Sequence, residues 1–333
     1  MPANLTPEYR QAEEKFRQAK TNEEKLAALE EMLAVIPKHK GTEHMQGDIK
    51  RRIAKLRDLM EQRITHGKRA SNLYNVEKEG GGQVVLIGPP NAGKSKILSR
   101  LTNAQPEIGD YPYTTQKPIP GMMEYEDVKF QIVDMPPITE EFTEPWMVAI
   151  GRNADGLLLV FDVSSDLVLD EVEMVLGVVR RYRLEPYGYD RPVPRDETGL
   201  IVPRKSILVA NKMDLPKSRE NLEVIRDLYQ SRFPIVPVSA QTGEGLEELK
   251  HQIFRMMDVV RVYTKVPGKP PDLDVPYVVP RGSTVMDLAM TIHKEVAQKL
   301  KYARIWGLGK YDGQMVSREH VLDDRDIIEL HSA

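Results

Sequence analysis

The sequence predicts an α/β protein: a mainly parallel sheet covered by helices on both faces, preceded by an amino-terminal helical hairpin and followed by a small strand-rich domain. Three observations predict it. Short apolar runs of the kind buried on both faces recur between residues 83 and 238, with helical stretches between most of them. The chain before them shows only the periodicity of amphipathic helices. The chain after them places short strands around one amphipathic segment.

Taken in order, residues 7–35 are rich in Ala, Glu, Lys, Gln and Leu, with Phe16, Leu26, Leu29, Met32, Leu33 and Ile36 spaced for helices, and Pro37 and Gly41 break the pattern. A second run from Glu43 to Gln62 repeats Ile49, Ile53, Leu56 and Met60 at intervals of four, three and four, with Lys and Arg on the other faces. Two antiparallel helices fit. Glu79-Gly-Gly-Gly82 then reads as a hinge, giving domains at 1–80, 81–260 and 261–333. In the middle domain Val84–Ile87, Lys129–Val133, Leu157–Phe161, Ser206–Val209 and Pro234–Val238 read as strands, and residues 94–103, 167–182, 219–230 and 244–259 as helices. Residues 185–205, rich in Pro, Gly and charge, read as an inserted surface loop or small hairpin. Beyond them, strands at Val262–Thr264, Tyr277–Val279, Ala303–Trp306 and Ile327–Leu330 surround a helix from Val285 to Leu300. Trp306 and Phe254 read as core residues, and His293, with no metal-spaced partner, as structural.

A chain of 333 residues suits two or three domains, and 41% hydrophobic with 29% charged residues excludes wholesale disorder. With no cysteine there is no disulfide framework, thiol catalysis or Cys-ligated zinc. The net charge of −3 hides an uneven distribution: 16 Lys and Arg against 13 Asp and Glu in residues 1–80, 20 against 27 in residues 81–260, and 11 against 10 in the rest. Residues 38–69 alone hold 10 basic and 4 acidic side chains. No apolar leader opens the chain and no run of about 18 apolar residues spans a bilayer. A soluble, cytoplasmic protein with no membrane partner is expected.

The chemistry concentrates where strands end. Val84–Ile87 runs into Gly88-Pro-Pro-Asn-Ala-Gly93-Lys94-Ser95, a GxxxxGK[ST] loop in the strand–loop–helix setting the motif requires. Glycines let the backbone wrap an anion, and amides opening the next helix point at it. Gly88, Asn91, Ala92, Gly93, Lys94, Ser95 and Lys96 are thus candidate phosphate-binding residues, Lys94 bridging the β- and γ-phosphates and Ser95 binding Mg2+. A Gly/Pro turn with a surface lysine is the plain alternative. Asn211-Lys212-Met-Asp214 ends the strand at Ser206–Ala210. A carboxylate there accepts both the ring N–H and the exocyclic amine of guanine, a pair that adenine does not offer. Ser239-Ala240-Gln241 follows the next strand, where the amide of a small residue can approach the guanine carbonyl. Read alone, the first set could be helix caps and the second carries no signal; their order after GxxxxGKS makes a base pocket.

With these motifs in order, the chain resembles the translation-factor-related P-loop GTPases, Thr115 and Asp134 supplying the remaining two motifs. Asp110-Tyr-Pro-Tyr-Thr-Thr115-Gln-Lys-Pro118 with Gly121 is similar to the switch of the Obg and developmentally regulated GTP-binding (DRG) group, and residues 261–330 resemble the β-grasp-like TGS domain that ends DRG proteins. The resemblance implies that Thr115 adds a hydroxyl to Mg2+ and that Asp134 holds the metal through water. It implies GTP and GDP as ligands, and catalysis resting on Lys94 and Thr115 with the general base unassigned. Asn91 occupies the position of a cation-binding asparagine in K+-stimulated GTPases, so K+ is a second possible ion; bonding of Asn91 to the loop backbone is the equal alternative.

Two departures from the family follow, with one difference from Ras-like enzymes that is itself usual in this wider group. The expected DxxG reads Asp134-Met-Pro-Pro137, and proline has no N–H for the γ-phosphate. Ile138 stands where Ras-like enzymes place a water-orienting glutamine and can neither donate nor accept through its side chain. Slow hydrolysis is expected. The sizeable extra domain that DRG proteins carry between the third and fourth motifs shrinks here to residues 185–205. Lys50-Arg-Arg52, Lys55, Arg57, Arg63, Lys68 and Arg69 could bind phosphates or simply face solvent; the resemblance points to the ribosome or ribosomal RNA, through residues 38–69 and the TGS-like domain. A Mg2+-dependent, slowly hydrolysing GTP switch is expected. The alternative is a nucleotide-gated RNA- or protein-binding module with negligible turnover.

Overall fold

Alternate residues of β1 (Gln83–Ile87) enter two separate apolar clusters. Val84 and Leu86 pack with helices Lys94–Leu101 and Leu246–Met257. Val85 and Ile87 pack with helices Pro145–Asn153, Val168–Arg181 and Ser218–Tyr229. A strand buried on both faces belongs inside a parallel sheet, and each such Leu, Ile or Val contributes about 1.5–3 kcal/mol. The computed structural model describes residues 7–18, 22–36, 46–47, 49–53, 76–102, 117–196, 199–308 and 310–332, and it divides the chain into two compact units, Met1–Asn75 and Val76–Ala333.

The seven-stranded sheet runs β2 (Ile119–Tyr125), β3 (Val128–Asp134), β1, β4 (Gly156–Asp162), β6 (Val202–Asn211), β5 (Leu184–Gly188), with β7 (Ile235–Pro237) also on β6. Only β2–β3 is antiparallel. The register sets Leu86 beside Asp134 and Asp162 beside Asn211, so the carboxyl ends of β1, β3, β4 and β6 share one edge. That edge is where ligands approach such sheets.

Residues 185–205 are only partly the expected loop, since 189–196 and 199–201 carry no strand but both ends of the stretch do, and the pairing is not that of a hairpin. They contain β5 and the start of β6, paired in parallel from Leu184–Val202 to Gly188–Ser206. The reading missed this because Pro186 and Pro203 argue against strands; β5 lies at the sheet edge, where a missing N–H is tolerated. The Gly80–Gly82 segment is likewise no hinge. Gly81 donates to Lys129 O and Gly82 accepts from Gln131 N (2.8 and 2.9 Å), and a Cβ on Gly81 would sit 3.0 Å from both Val128 and Val278. The glycines are there for close approach.

The carboxyl-terminal domain has a sheet ordered β11 (Gln314–Val316), β10 (Leu300–Trp306), β12 (Asp326–Ser332), β8 (Val259–Lys265), β9 (Pro271–Pro280). Its helix is broken: Val285–Ile292 ends and Lys294–Lys299 begins at an extended His293, whose Nδ1 accepts from Glu295 N at 3.2 Å. Trp306 is not a core residue. Ala303 and Ile305 enter the apolar cluster while Trp306, on the opposite face of β10, lies half-buried under Lys265 Nζ, 4.2 Å from the ring centroid. Phe254 packs at the edge of the middle domain's core.

In the amino-terminal unit the first expected helix is two, Pro7–Gln18 and Asn22–Val35. Thr21-Asn-Glu-Glu24 carries the sequence signature of a helix start. Ile49 and Ile53, from the helical residues 49–53, join Tyr9, Ala12, Leu29, Met32 and Ile36 in one cluster, and Lys50, Arg51 and Arg52 are exposed. Lys55 and the later basic residues of the 38–69 stretch lie outside the described residues. Among the described residues no helix is long and apolar enough to cross a membrane.

Candidate functional site

The loop after β1 folds around its own lysine. Lys94 is 6% exposed and donates to Gly88 O and Pro89 O at 3.0 and 2.9 Å. Burial pulls its ammonium down to about 8, and the charge of Asp134 opposes the fall. An ammonium whose donors rest on carbonyl oxygens of its own loop can exchange them for the oxygens of an anion. Ser95 Oγ donates to Asp134 Oδ2 at 2.5 Å, joining the loop to the end of β3. Gly88 must be glycine, since a Cβ there would lie 2.2 Å from Val160 O. Asn91 takes a left-handed φ of 59 with its side chain exposed, a conformation asparagine tolerates. Ala92 is buried, and Lys96 lies half-buried in the first turn of the helix.

The base-side residues converge on the same edge. Asn211 Nδ2 donates to Ala92 O at 2.8 Å and its Oδ1 accepts from Ala240 N at 3.1 Å. This buried amide therefore joins the phosphate loop to the 239–241 loop. Ser239 Oγ donates to Asp214 Oδ1 at 2.5 Å and accepts from Thr242 N at 3.0 Å, fixing the carboxylate. Asp214 also lines a cleft of about 450 Å³ with Met213, Leu215, Lys217 and Arg219. Lys212, at φ 66, pairs through Nζ with Asp162 Oδ2 at 2.8 Å.

Two contributors escaped the sequence reading. Asp162 ends β4, and its own Oδ1 accepts from the amide and hydroxyl of Ser164; an apolar run ending in a carboxylate at a strand's carboxyl end was a readable signal. Arg100 donates to Ala240 O and Gln241 O at 3.0 and 2.8 Å, a contact that nothing local announces. Thr115 and Asp110 lie outside the described residues. Pro137 is half-buried, the Ile138 side chain is buried in the core, and the Ile138 amide donates to Gly88 O at 3.0 Å.

Residues 83–187 match the family described as 50S ribosome-binding GTPase, and residues 260–332 match the TGS domain. An uncharacterised GTP-binding protein of Methanocaldococcus jannaschii is 28% identical over 92% of each chain. Developmentally-regulated GTP-binding protein 1 of Xenopus laevis is 27% identical over 92% of this chain and 98% of its own. The chain is thus a P-loop GTPase with a carboxyl-terminal TGS domain, similar to the developmentally regulated GTP-binding (DRG) proteins. A GTP-binding protein from Pyrococcus horikoshii OT3, 16% identical, shares the fold at a TM-score of 0.52 over 75% of this chain and 100% of that one. In this TGS-bearing GTPase the described motif residues, 88–95, 134, 211–214 and 239–241, end or follow strands whose carboxyl ends share one edge of the sheet.

Proposed function

We propose that this DRG-type protein is a Mg2+-dependent GTPase switch that hydrolyses GTP slowly and acts in the cytoplasm, on the ribosome or during ribosome assembly. The observation that carries it is the buried Lys94 beside the Ser95–Asp134 contact, tied through Asn211 to the loop bearing Ser239 and Ala240. Phosphate and base sites are thereby held as one unit. Lys94 and the amides of residues 91–96 would take the phosphates. Asp214 would select guanine by accepting two N–H groups.

Ser95 Oγ and Asp134 Oδ2 are hard oxygen donors 2.5 Å apart, the donor type Mg2+ takes beside nucleotide phosphates. Ser95 would hold the ion directly and Asp134 through water, with Thr115 as the further hydroxyl. When bound, the ion neutralises charge on the β- and γ-phosphates. Water attacks the γ-phosphate in line to give GDP and phosphate, with no general base assigned. Pro137 offers no N–H, and Ile138 has its side chain in the core and its amide on Gly88 O, so neither orients that water. This supports a slow rate. The exposed Asn91 would be the K+ ligand; equal rates in K+ and Na+ buffers would remove that ion.

The same two residues favour a second reading, a nucleotide-gated RNA- or protein-binding module with negligible turnover. Single-turnover hydrolysis with and without ribosomes separates the two. Acceleration by ribosomes supports the switch, and no turnover under either condition supports the module. ATP outcompeting GTP in a binding titration would remove the guanine assignment altogether. The family described as ribosome-binding, together with the exposed Lys50, Arg51 and Arg52, supports ribosomal RNA as partner.

A further inference from the structure

The turn joining β2 to β3 has two residues, Glu126 and Asp127, because Tyr125 pairs directly with Val128. Such turns favour Asn-Gly or Asp-Gly, since they need positive φ. Glu126 adopts φ 50, which costs a non-glycine residue about 1–2 kcal/mol. Strain held at a defined place points to a use for the side chains there.

Both acidic side chains grip the TGS domain. Arg261, 4% exposed at the start of β8, donates through Nη1 to Glu126 Oε2 and, at 2.9 Å, to Asp127 Oδ1. Its Nε and Nη2 hold Asp324 of its own domain at 3.0 and 2.6 Å. Tyr263 donates its hydroxyl to Asp127 Oδ2, and Arg325 Nη2 donates to Glu126 Oε2 at 3.1 Å. The guanidinium also lies 5.2 Å from the ring centroid of Phe254. Arg261 is buried while Glu126 and Asp127 remain partly exposed, so solvent screens each pair and the grip comes from several charge-assisted hydrogen bonds acting together. The TGS domain therefore cannot slide past this turn without breaking several hydrogen bonds at once.

The other end of the hairpin is at the phosphate loop. Pairing is continuous from Tyr125–Val128 to Ile119–Asp134, a ribbon about 20 Å long at about 3.4 Å per residue. Asp134 there accepts from Ser95. The chain just beyond is fixed, with Pro136 and Ile138 buried and the Ile138 amide on Gly88 O. A displacement at Asp134 thus has a continuously hydrogen-bonded path along the hairpin.

We propose that the β2–β3 hairpin carries the nucleotide state of the phosphate loop to the TGS domain, with Arg261 as the grip. This rests on the guanine-nucleotide reading above. Linkage makes the effect reciprocal: a clamp that senses the nucleotide also changes the relative affinity for GTP and GDP by the same factor.

The test replaces Glu126 and Asp127 by Asn and Gly, which suits the turn and removes both carboxylates while leaving every phosphate- and base-side residue in place. Binding of fluorescent GDP and of a non-hydrolysable GTP analogue is titrated, and amide hydrogen exchange is followed in residues 259–265 and 320–325. In the unaltered protein, exchange in these TGS segments differs between the two nucleotide states. In E126N/D127G that difference disappears and the analogue-to-GDP affinity ratio shifts about fivefold or more. Tight binding with identical TGS exchange in both states of the unaltered protein overturns the coupling alone. So does a difference that survives in the variant. Failure to bind either nucleotide overturns the guanine reading and the coupling together.

Discussion

The amide of Ile138 donates to the carbonyl oxygen of Gly88 at 3.0 Å, on the same oxygen that accepts Lys94 Nζ at 3.0 Å. The chain following β3 is therefore docked on Gly88, the first residue of the GxxxxGKS loop, and the residue before the contact, Pro137, has no N–H to offer a phosphate. Replacing Pro137 with Gly restores an amide at that position. A hydrogen bond to a charged group contributes about 1.5–3 kcal/mol, so preference for a GTP analogue over GDP should rise about tenfold or more. The loosened backbone should lower stability by about 0.4–1 kcal/mol. Competitive nucleotide titrations check the first and thermal melts the second; an unchanged ratio means that residue 137 stays away from the γ-phosphate.

Lys94 makes nucleotide binding a proton-linked event. Its ammonium is pulled from 10.5 to about 8 by burial, and bound phosphates would return it toward its ordinary value. At pH 8.5 a group with a pKa of about 8 is mostly deprotonated, so GDP binding should take up about 0.7 proton. Calorimetry in buffers of different ionisation enthalpy measures that number directly. The sign for folding is also set: between about 8 and 10.5 the unfolded chain holds a proton that the folded one has released, so this residue's contribution to stability rises with pH across that window. Absence of proton uptake at pH 8.5 would mean that the lysine is already charged before nucleotide binds.

The legible parts of this protein are those where chemistry is local to the chain. Gly88–Ser95 and Asn211–Asp214 announce themselves because one loop must supply several amides or one carboxylate from adjacent positions. The helices over 168–181, 218–229 and 246–257 fall within a residue or two of expectation because each buries one apolar stripe. Contacts between distant residues leave no such trace. Asp162 meets Lys212 across a sheet register, and Arg261 meets Asp127 from another domain. The helix break at His293 has no glycine or proline to mark it, and β5 is disguised by Pro186.

Asp162 should act on nucleotide affinity through Lys212. The pair is half-buried at 2.8 Å, and the carboxyl of Glu171 beside it is pushed up, first by burial and then by the charge of Asp162. Asp162→Asn leaves the Ser164 contacts with an acceptor but removes the charge that holds Lys212. GDP affinity should fall about three- to tenfold, in line with about 1 kcal/mol for a partly exposed pair, while Asp162→Glu should recover part of it. Equal affinities in all three proteins would leave Lys212 without need of this partner.

The exposed cations of the amino-terminal unit give a test of partner that is independent of the nucleotide. Ile49 and Ile53 fix the helix to its cluster, so Lys50, Arg51 and Arg52 point away from the core that holds them. Changing all three to glutamine keeps helix propensity and volume and removes three charges. If these residues engage phosphates, the slope of log affinity against log salt for ribosomal RNA should flatten by about 2, at about 0.7 per single-strand phosphate. Affinity near physiological salt should drop about tenfold or more. GDP affinity should not move, because none of the residues placed around the nucleotide is altered. A flat comparison, with slope and affinity equal to the unaltered protein, would assign this face to solvent and leave the TGS domain as the place to seek the ribosome.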